Sequence, residues 1–143
     1  TPDRLGLFIN EWMPDNITGA KDEYDESDDW FEVYNSASDT INIGGLYFTD
    51  DYQQPVKWQV PLNSPQKTAI PPGGFSLIWA DGNSGQGALH AGFKLKASGE
   101  EIAIFQRIAS GFEEIDHVSF ALVQEDVCEG RYPDGSSDIS VLK

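Results

Sequence analysis

The densest concentration of potential ligands lies in an acidic segment, residues 22–29, in which six of eight residues are Asp or Glu. Asp22, Asp25 and Asp28 recur at intervals of three, and Asp29 follows directly. Carboxylate oxygens are the ligands that Ca²⁺ prefers in proteins, so these four aspartates form a candidate calcium site. An EF-hand is excluded, because its loop has acidic residues two apart and a glycine at its sixth position. The alternative is a solvated acidic loop without an ion.

A second group of candidate residues follows at once, in a short aromatic and β-branched run. Side chains alternate along a strand, so Trp30, Glu32 and Tyr34 share one face of it. Phe31 and Val33 face the other way, toward the predicted core. Exposed aromatic rings beside a carboxylate could form a ligand surface that stacks against sugars. The alternative is that the tryptophans pack in the core or against a partner protein.

Outside the acidic segment, nucleophilic or metal chemistry would have to involve His90, His117 or Cys128. A catalytic cysteine needs a histidine beside it in a polarised pocket, and the sequence pattern places none there. Asp116 and His117 are neighbours in a predicted strand, so their side chains point to opposite faces. The glycine-rich stretch 82–87 has the spacing of neither a hydrolase elbow nor a dinucleotide fingerprint. The sequence therefore predicts no enzymatic activity and no cofactor, calcium at the acidic segment excepted.

The charge balance limits the partners that the chain can take. Nine Lys and Arg residues against 24 Asp and Glu residues give a net charge of −15. Such a field repels phosphate backbones, so we expect no nucleic-acid partner. No apolar run approaches the ~20 residues that span a bilayer, so we expect no membrane insertion. The single cysteine, Cys128, cannot form an internal disulfide.

Short strands separated by regular turn signals are the elements that must position these groups. The segments 5–12 and 41–49 alternate, and the mostly apolar run 75–80 predicts a central strand. The stretch 105–122 fits both helical and strand spacing, although the regular turns elsewhere favour strands. Eight or nine short strands predict an all-β sandwich or barrel. The predicted core residues are Phe31, Val33, Ile41, Ile43, Leu77, Ile102, Ile104 and Phe120.

Several blocks occur along the chain in an order that is typical of one family. They include Ile9-Asn10-Glu11-Trp12, Asp29-Trp30-Phe31-Glu32-Val33-Tyr34-Asn35, Gly45-Leu46-Tyr47-Phe48-Thr49-Asp50, Ile70-Pro71-Pro72-Gly73-Gly74-Phe75 and Arg131-Tyr132-Pro133-Asp134-Gly135-Ser136. Together they resemble the lamin tail domain of nuclear intermediate filaments and many bacterial secreted proteins. The resemblance implies an immunoglobulin-like antiparallel β-sandwich with an interaction or tethering role and no generally assigned catalytic residues.

These observations define what we expect of the protein. The 143 residues suit a single domain, and the start at Thr1 rather than Met suggests a domain excised from a longer exported protein. We expect a non-enzymatic interaction or scaffolding module of an exported or cell-surface bacterial protein, located outside the cell, with a protein or polysaccharide partner. The alternatives are a carbohydrate-binding module that uses exposed aromatics and a calcium-dependent adhesion domain. Arg131 and Asp134, which flank Pro133, are expected to lock the final turn.

Overall fold

The computed structural model describes residues 5–142, and nearly all regular structure in this range is β-strand. A one-turn helix, α1 (Pro65–Thr68), and a 3₁₀ turn (Ser84–Gln86) lie in connections between strands. The strands are β1 (Leu7–Met13), β2 (Trp30–Asn35), β3 (Ile41–Asn42), β4 (Tyr47–Thr49), β5 (Trp58–Gln59), β6 (Ala69–Ile70), β7 (Phe75–Trp79), β8 (Glu100–Ile108), β9 (Gly111–Phe120), β10 (Cys128–Arg131) and β11 (Ile139–Leu142).

The strands form two main antiparallel sheets and a short ribbon. One sheet has the order β11-β10-β1-β2-β7, the other has the order β5-β4-β8-β9, and β3 pairs with β6. The segment 105–122, whose periodicity left helix and strand open, lies mostly in the long β8–β9 hairpin. The predicted all-β, immunoglobulin-like antiparallel sandwich is therefore confirmed. No helix within residues 5–142 is long and apolar enough to cross a membrane.

The core lies between the two sheets and is built by the alternation of their strands. Phe31 and Val33 of β2 are fully buried, as the alternation predicted, and they meet residues of the opposite sheet. The ring of Phe31 lies 5.6 Å from that of Phe48 in β4. Of the other predicted core residues, Ile43, Ile102, Ile104 and Phe120 are buried, and Ile41 packs against the core while partly exposed.

Two predictions about strand β7 are wrong. Leu77 is not a core residue, because it pairs with Glu32 and therefore lies on the outer face of its sheet. In addition, β7 is the edge strand of the five-stranded sheet rather than a central strand. Its outer-face residues are apolar as well as its core residues, which makes nearly the whole run apolar. One of them, Trp79, forms a β-bridge to His90 in the following loop. An edge strand with apolar residues on both faces therefore has the same sequence pattern as a central strand, and sequence alone does not distinguish the two.

A β-bulge in β1 creates the most unusual contact of the sandwich. The register between β1 and β2 shifts between Ile9 and Glu11, which inserts Asn10 as an extra residue. Beyond the bulge, Trp12 returns to the core face that Leu7 and Ile9 occupy. On its other side β1 pairs with β10 only at Glu11 and Trp12, so the backbone of Ile9 needs other hydrogen-bond partners there.

Side chains from both sheets supply those partners. The Ile9 amide donates to Asp116 Oδ2 of β9 at 2.7 Å, and the Ile9 carbonyl accepts from Arg131 Nε of β10 at 2.9 Å. Arg131 Nη2 also donates to both oxygens of Asp116, at 3.0 and 3.1 Å. Burial raises the pKa of Asp116, and the Arg131 guanidinium opposes that rise. This buried clamp ties an edge strand of the four-stranded sheet to the middle of the five-stranded sheet.

The final turn is locked as expected, although Arg131 and Asp134 do not bond each other. Arg131 Nη1 donates to the Ser136 carbonyl at 2.8 Å, and Asp134 Oδ1 accepts from Asn10 Nδ2 at 3.0 Å. Gly135, with φ of 75°, donates its amide to Asn10 Oδ1 at 2.9 Å. The bulged residue of β1 and the guanidinium of the clamp thus hold the two ends of this turn.

Replacing Arg131 by Met should lower the free energy of unfolding by about 3–5 kcal/mol, because Asp116 would stay buried without its cation. Urea unfolding followed by tryptophan fluorescence measures this loss. Arg107→Met is the matched control, because Arg107 is exposed and lies against the rings of Tyr47 and Phe112 and the Tyr47 hydroxyl. We expect that variant to lose about 1 kcal/mol or less. Equal losses in the two variants would contradict a special role for the clamp.

Candidate functional site

The β1–β2 loop, residues 14–29, carries the acidic segment and is organised by its own hydrogen bonds. Asn16 is buried, and its Nδ2 donates to the carbonyls of Ala20 at 2.8 Å and Asp28 at 2.9 Å. Its Oδ1 accepts from the Gly19 amide at 2.9 Å. An asparagine side chain can replace backbone partners in this way where no regular ladder exists. The loop therefore presents its carboxylates from a fixed backbone.

Asp22 lies at the centre of the acidic segment. Its Oδ1 accepts from the amides of Tyr24 at 2.8 Å and Glu26 at 3.1 Å, and its own amide donates to the Glu26 carbonyl at 2.9 Å. The residue is only 9% exposed. Its second oxygen, Oδ2, is buried and has no hydrogen-bond partner within residues 5–142. One oxygen of Asp22 thus shapes the loop while the other is left unpaired.

Two groups of potential metal ligands share Asp22. In the first, Asp22, Glu26 and Asp28 each offer one oxygen, and all three oxygens lie within 4.8 Å of one another. In the second, Asp22 is joined by Asp81 and His90 within the same distance. Burial raises the pKa of Asp28, and the charges of Asp81, Glu26 and Asp22 add to that rise. The carboxylates therefore repel one another at this place in the fold.

Of the four aspartates that the sequence proposed as ligands, two are brought together and the other two lie apart from them and from each other's partners. Asp22 and Asp28 lie in one group, to which the structure adds Glu26. The side chain of Asp25 is 89% exposed and lies 3.9 Å from Lys21 Nζ. Asp29 accepts from the Asn16 amide at 3.4 Å, and burial raises its pKa to about 6. Regular spacing in sequence does not bring side chains together in an irregular loop, which has no fixed period.

His90, which the sequence offered for nucleophilic or metal chemistry, lies beside the acidic segment in the structure. Its ring is 1% exposed, with Nδ1 2.6 Å from Asp81 Oδ2 and Nε2 2.8 Å from Glu23 Oε1. Burial alone would lower the pKa of His90, but the hydrogen bonds to both carboxylates outweigh it and raise the pKa. The ring of Tyr24 lies edge-on at 6.1 Å. His90 thus ties the acidic segment to the loop after β7, a contact between residues 67 positions apart.

The proposed ligand surface on β2 needs one correction. Trp30 is only 6% exposed, so it is not an exposed platform residue. It lies on the outer face, where its register partners are Met13 and Trp79, and Trp79 is buried as well. Alternation predicted the face correctly but could not predict that this end of it is covered. Half-buried Tyr34 stacks on Phe75 of β7, with ring centroids 5.0 Å apart.

The cysteine has the properties of a structural residue rather than a nucleophile. Burial raises the pKa of the Cys128 thiol to about 12, and the neighbouring charge of Glu11 contributes to the rise. A pKa this high keeps the thiol protonated at neutral pH. The reactive form of cysteine is the thiolate, so Cys128 is a poor nucleophile. Cys128 Sγ instead lies 3.4 Å from Glu11 Oε2, to which it can donate a weak hydrogen bond.

A hollow beside strand β8 contains the other strongly perturbed carboxyl. The pKa of Glu100 is raised to about 7, mainly by burial and next by the negative charge of Asp50. The hollow is also lined by Lys57 and Lys96. Lys57 Nζ lies 2.6 Å from Asp50 Oδ1. Because its acidic groups are accompanied by two lysines, this hollow has less unbalanced negative charge than the acidic segment.

Replacing His90 by Gln should cost about 1–3 kcal/mol of unfolding free energy at pH 6, because Asp81 loses a buried charged partner. A raised histidine pKa means that the folded state binds the proton more tightly, so this contribution is complete below the unfolded pKa of about 6.5. The contribution of His90 is lost as pH rises through its folded pKa, so the stability difference between the wild type and His90→Gln should shrink by pH 9.

Urea unfolding in EDTA at both pH values measures the effect of His90→Gln. His117→Gln is the matched control, because His117 is partly exposed, and it should change stability by less than about 0.5 kcal/mol. A His90→Gln loss that is the same at pH 6 and pH 9 would contradict a charged histidine between the two carboxylates.

The comparison with known protein families agrees with the architecture. The family model for the Lamin Tail Domain matches residues 1–121, a range that contains β1 to β9. Searches of the curated proteins and of the solved structures gave no match. The matched range covers most of the chain, and the strands within it form the two faces of an immunoglobulin-like sandwich. The chain therefore belongs to the lamin tail domain family.

Proposed function

We propose that this protein is a non-enzymatic interaction module of an exported or cell-surface bacterial protein, and that it binds a basic segment of a partner protein. Lamin tail domains are immunoglobulin-like, non-catalytic domains that generally serve in protein interactions. The proposed binding surface is the outer face of the five-stranded sheet, the side turned away from the core. The observation that carries the proposal is the arrangement of aromatic and acidic side chains on that face.

The outer face carries an aromatic row beside an acidic pair. Phe8, Tyr34 and Phe75 are register partners across strands β1, β2 and β7, so they form one row. The final turn covers part of this row, because the Arg131 guanidinium lies 5.4 Å from the Phe8 ring centroid and Gly135 lies against Phe8 and Tyr34. Phe75 is therefore the ring of the row that is open to a ligand. Phe75 is 44% exposed at the edge of the sheet. Along the same strands, Glu11 of β1 is the register partner of Glu32 of β2. Cations are attracted both to aromatic faces and to carboxylates, which makes a lysine or arginine side chain the matching ligand.

The acidic pair is electrostatically unfavourable in the free protein. Like charges directly opposite on neighbouring strands destabilise a sheet. Burial raises the pKa of Glu32, and the charge of Glu11 raises it further. Asp134 of the final turn shares Asn10 with Glu32 as a hydrogen-bond donor, which adds a third carboxylate to this place. A bound cationic side chain would neutralise part of this charge.

The charge of the whole chain supports the same kind of partner. A net charge of −15 attracts basic proteins over long range and speeds their association. It also keeps an exported domain soluble, which agrees with the proposed location outside the cell. If the interaction depends on calcium, the ion would bind at Asp22, whose buried Oδ2 has no hydrogen-bond partner within residues 5–142.

A polysaccharide is the second candidate ligand, favoured by the stack of Tyr34 on Phe75. Sugar rings bind against exposed aromatic faces. The burial of Trp30 and Trp79 leaves a smaller platform than the sequence suggested. The adjacent carboxylates Glu11 and Glu32 fit a cationic group better than a neutral sugar, and for this reason the basic protein segment is preferred.

Binding of a lysine- and arginine-rich peptide, measured by calorimetry at low salt, should be saturable and should weaken as salt rises. Phe75→Ala and Glu32→Gln should each weaken it by about tenfold, since each removes part of the matching surface. Glu125→Gln, which removes the same charge at an exposed loop position, is the matched control and should change affinity less than about twofold.

Equal losses for Glu32→Gln and Glu125→Gln would mean that only net charge attracts the peptide, which would contradict a specific surface. Saturable binding on a glycan array that is lost in Phe75→Ala, with no peptide binding, would favour the polysaccharide instead. Surface labelling of intact cells that produce the full-length protein tests its location, and detection only inside lysed cells would contradict export.

A further inference from the structure

We propose that the acidic segment binds one Ca²⁺ ion through carboxylate oxygens of Asp22, Glu26 and Asp28. The proposal goes beyond the interaction role, because it concerns the β1–β2 loop and not the outer face of the sheet. It also selects three ligands from an eight-residue segment that contains six acidic residues. Acidic residues are common on surfaces, but two features distinguish these three from their neighbours.

The first distinction is the distance between their oxygens. One oxygen each of Asp22, Glu26 and Asp28 lies within 4.8 Å of the other two. Ca²⁺ binds oxygen at about 2.3–2.6 Å, so two of its ligands are at most about 5 Å apart. The three oxygens are therefore grouped closely enough for one ion to bind them with only a small adjustment of their side chains. Asp25 and Asp29 belong to no such group within residues 5–142.

The second distinction is that buried oxygens at this place have no partner. Asp22 is 9% exposed, and among the described residues neither its buried Oδ2 nor the buried Oδ2 of Asp28 has a hydrogen-bond partner. Buried polar atoms in folded proteins nearly always have a partner, and an exception calls for an explanation such as an ion. Two unpaired, negatively charged oxygens in one loop point to a cation rather than to a missing donor.

A neighbouring side chain adds a further oxygen. Gln86 of the 3₁₀ turn donates its Nε2 to Glu26 Oε1 at 3.1 Å, and its Oε1 is buried without a partner. Amide oxygens are common Ca²⁺ ligands. The turn is held against the acidic segment by Tyr24, whose hydroxyl donates to the Gln86 carbonyl at 3.0 Å. Gln86 is thus placed to orient Glu26 toward the ion.

Hydrogen bonds within the chain hold the backbone around the three ligands. Asp22 Oδ1 already accepts two backbone amides of the segment, and Asn16 bonds the carbonyl of Asp28. These bonds fix the backbone on both sides of the three ligands. Binding would therefore not have to order a flexible chain, a cost that weakens many loop sites.

The donor set favours calcium over other divalent ions. All three ligands are carboxylates in an irregular loop, and Ca²⁺ accepts irregular oxygen shells completed by water. Mg²⁺ requires near-ideal octahedral geometry and retains its water. Zn²⁺ prefers nitrogen or sulfur ligands, but both ring nitrogens of His90 already contact carboxylates, those of Asp81 and Glu23.

Calorimetric titration of EDTA-treated protein with CaCl₂ at constant ionic strength should show one saturable site, with a Kd of about 10⁻⁴ M as in other extracellular calcium modules. At 100-fold excess over Kd the melting temperature should rise by roughly 5–10 °C. NaCl or MgCl₂ at equal ionic strength should raise it less, because neither fills the site. Terbium luminescence excited through tryptophan gives an independent signal, since Trp30 lies two residues after Asp28.

Asp22→Asn should weaken Ca²⁺ binding at least tenfold while keeping the fold, because an amide oxygen can still accept the two backbone amides. Glu26→Gln should weaken it similarly and serves as the second variant if Asp22→Asn does not fold. Asp25→Asn is the matched control. It removes one charge from the same segment at an exposed position with φ of 62°, a conformation that Asn tolerates, and it should change the Kd less than about twofold.

Two results would overturn the site. One is the absence of saturable heat and of any calcium-specific melting shift at 10 mM CaCl₂, a concentration about 100-fold above the expected Kd. The other is an equal loss in Asp25→Asn and Asp22→Asn, which would mean that calcium only screens the segment as a whole. Neither result concerns basic-peptide binding at the outer face, so the two proposals fail or hold independently.

Discussion

The contact between Arg131 and Asp116 is the constraint on which the rest of the sandwich depends. The bulge at Asn10 removes Ile9 from the regular ladder, and the two charged side chains satisfy the backbone groups that it leaves. Apolar packing alone would allow the sheets to slide, because it has little directionality. The clamp fixes one sheet on the other at a single residue of β1. It also fixes the final turn, since Arg131 bonds the Ser136 carbonyl.

Buried asparagine side chains likewise supply hydrogen bonds at places where the regular β-ladder is interrupted or ends. Asn16 organises the β1–β2 loop, and Asn10 joins the bulge to the final turn. Asn35 ends β2, and its Nδ2 donates to the carbonyls of Asp39 and Ile70 at 2.9 Å. Buried backbone groups must be paired, and an amide side chain can serve donors and acceptors together. The irregular parts of this fold are therefore fixed by few side chains, and these parts carry the candidate ligands.

The sequence was sufficient for the fold class, whereas it identified some residues of the candidate site by type but not how they are grouped, and the difference has a physical cause. Alternation along β2 predicted Phe31 and Val33 in the core, because a strand has a fixed period of two. The same alternation assigned Trp30 to the outer face but could not show that this end is covered. Asp22 and Asp28 were identified by type, whereas the contact of His90 with Glu23 joins residues far apart in sequence. Only the folded chain brings such residues together.

The two proposed sites share an electrostatic origin. Burial raises the pKa of Asp28 in the loop and of Glu32 on the outer face, and in both cases neighbouring carboxylates add to the rise. A raised carboxyl pKa means that the folded state holds the proton more tightly than the unfolded chain does, so ionisation at neutral pH opposes folding. The charge of Lys94 counteracts the rise of the pKa at Asp28. Cations that bind only the folded state would reverse the cost, because they stabilise the state that holds the carboxylates together. The excess negative charge therefore favours cationic ligands at the places where the fold concentrates it, a calcium ion in the loop and a basic side chain on the sheet.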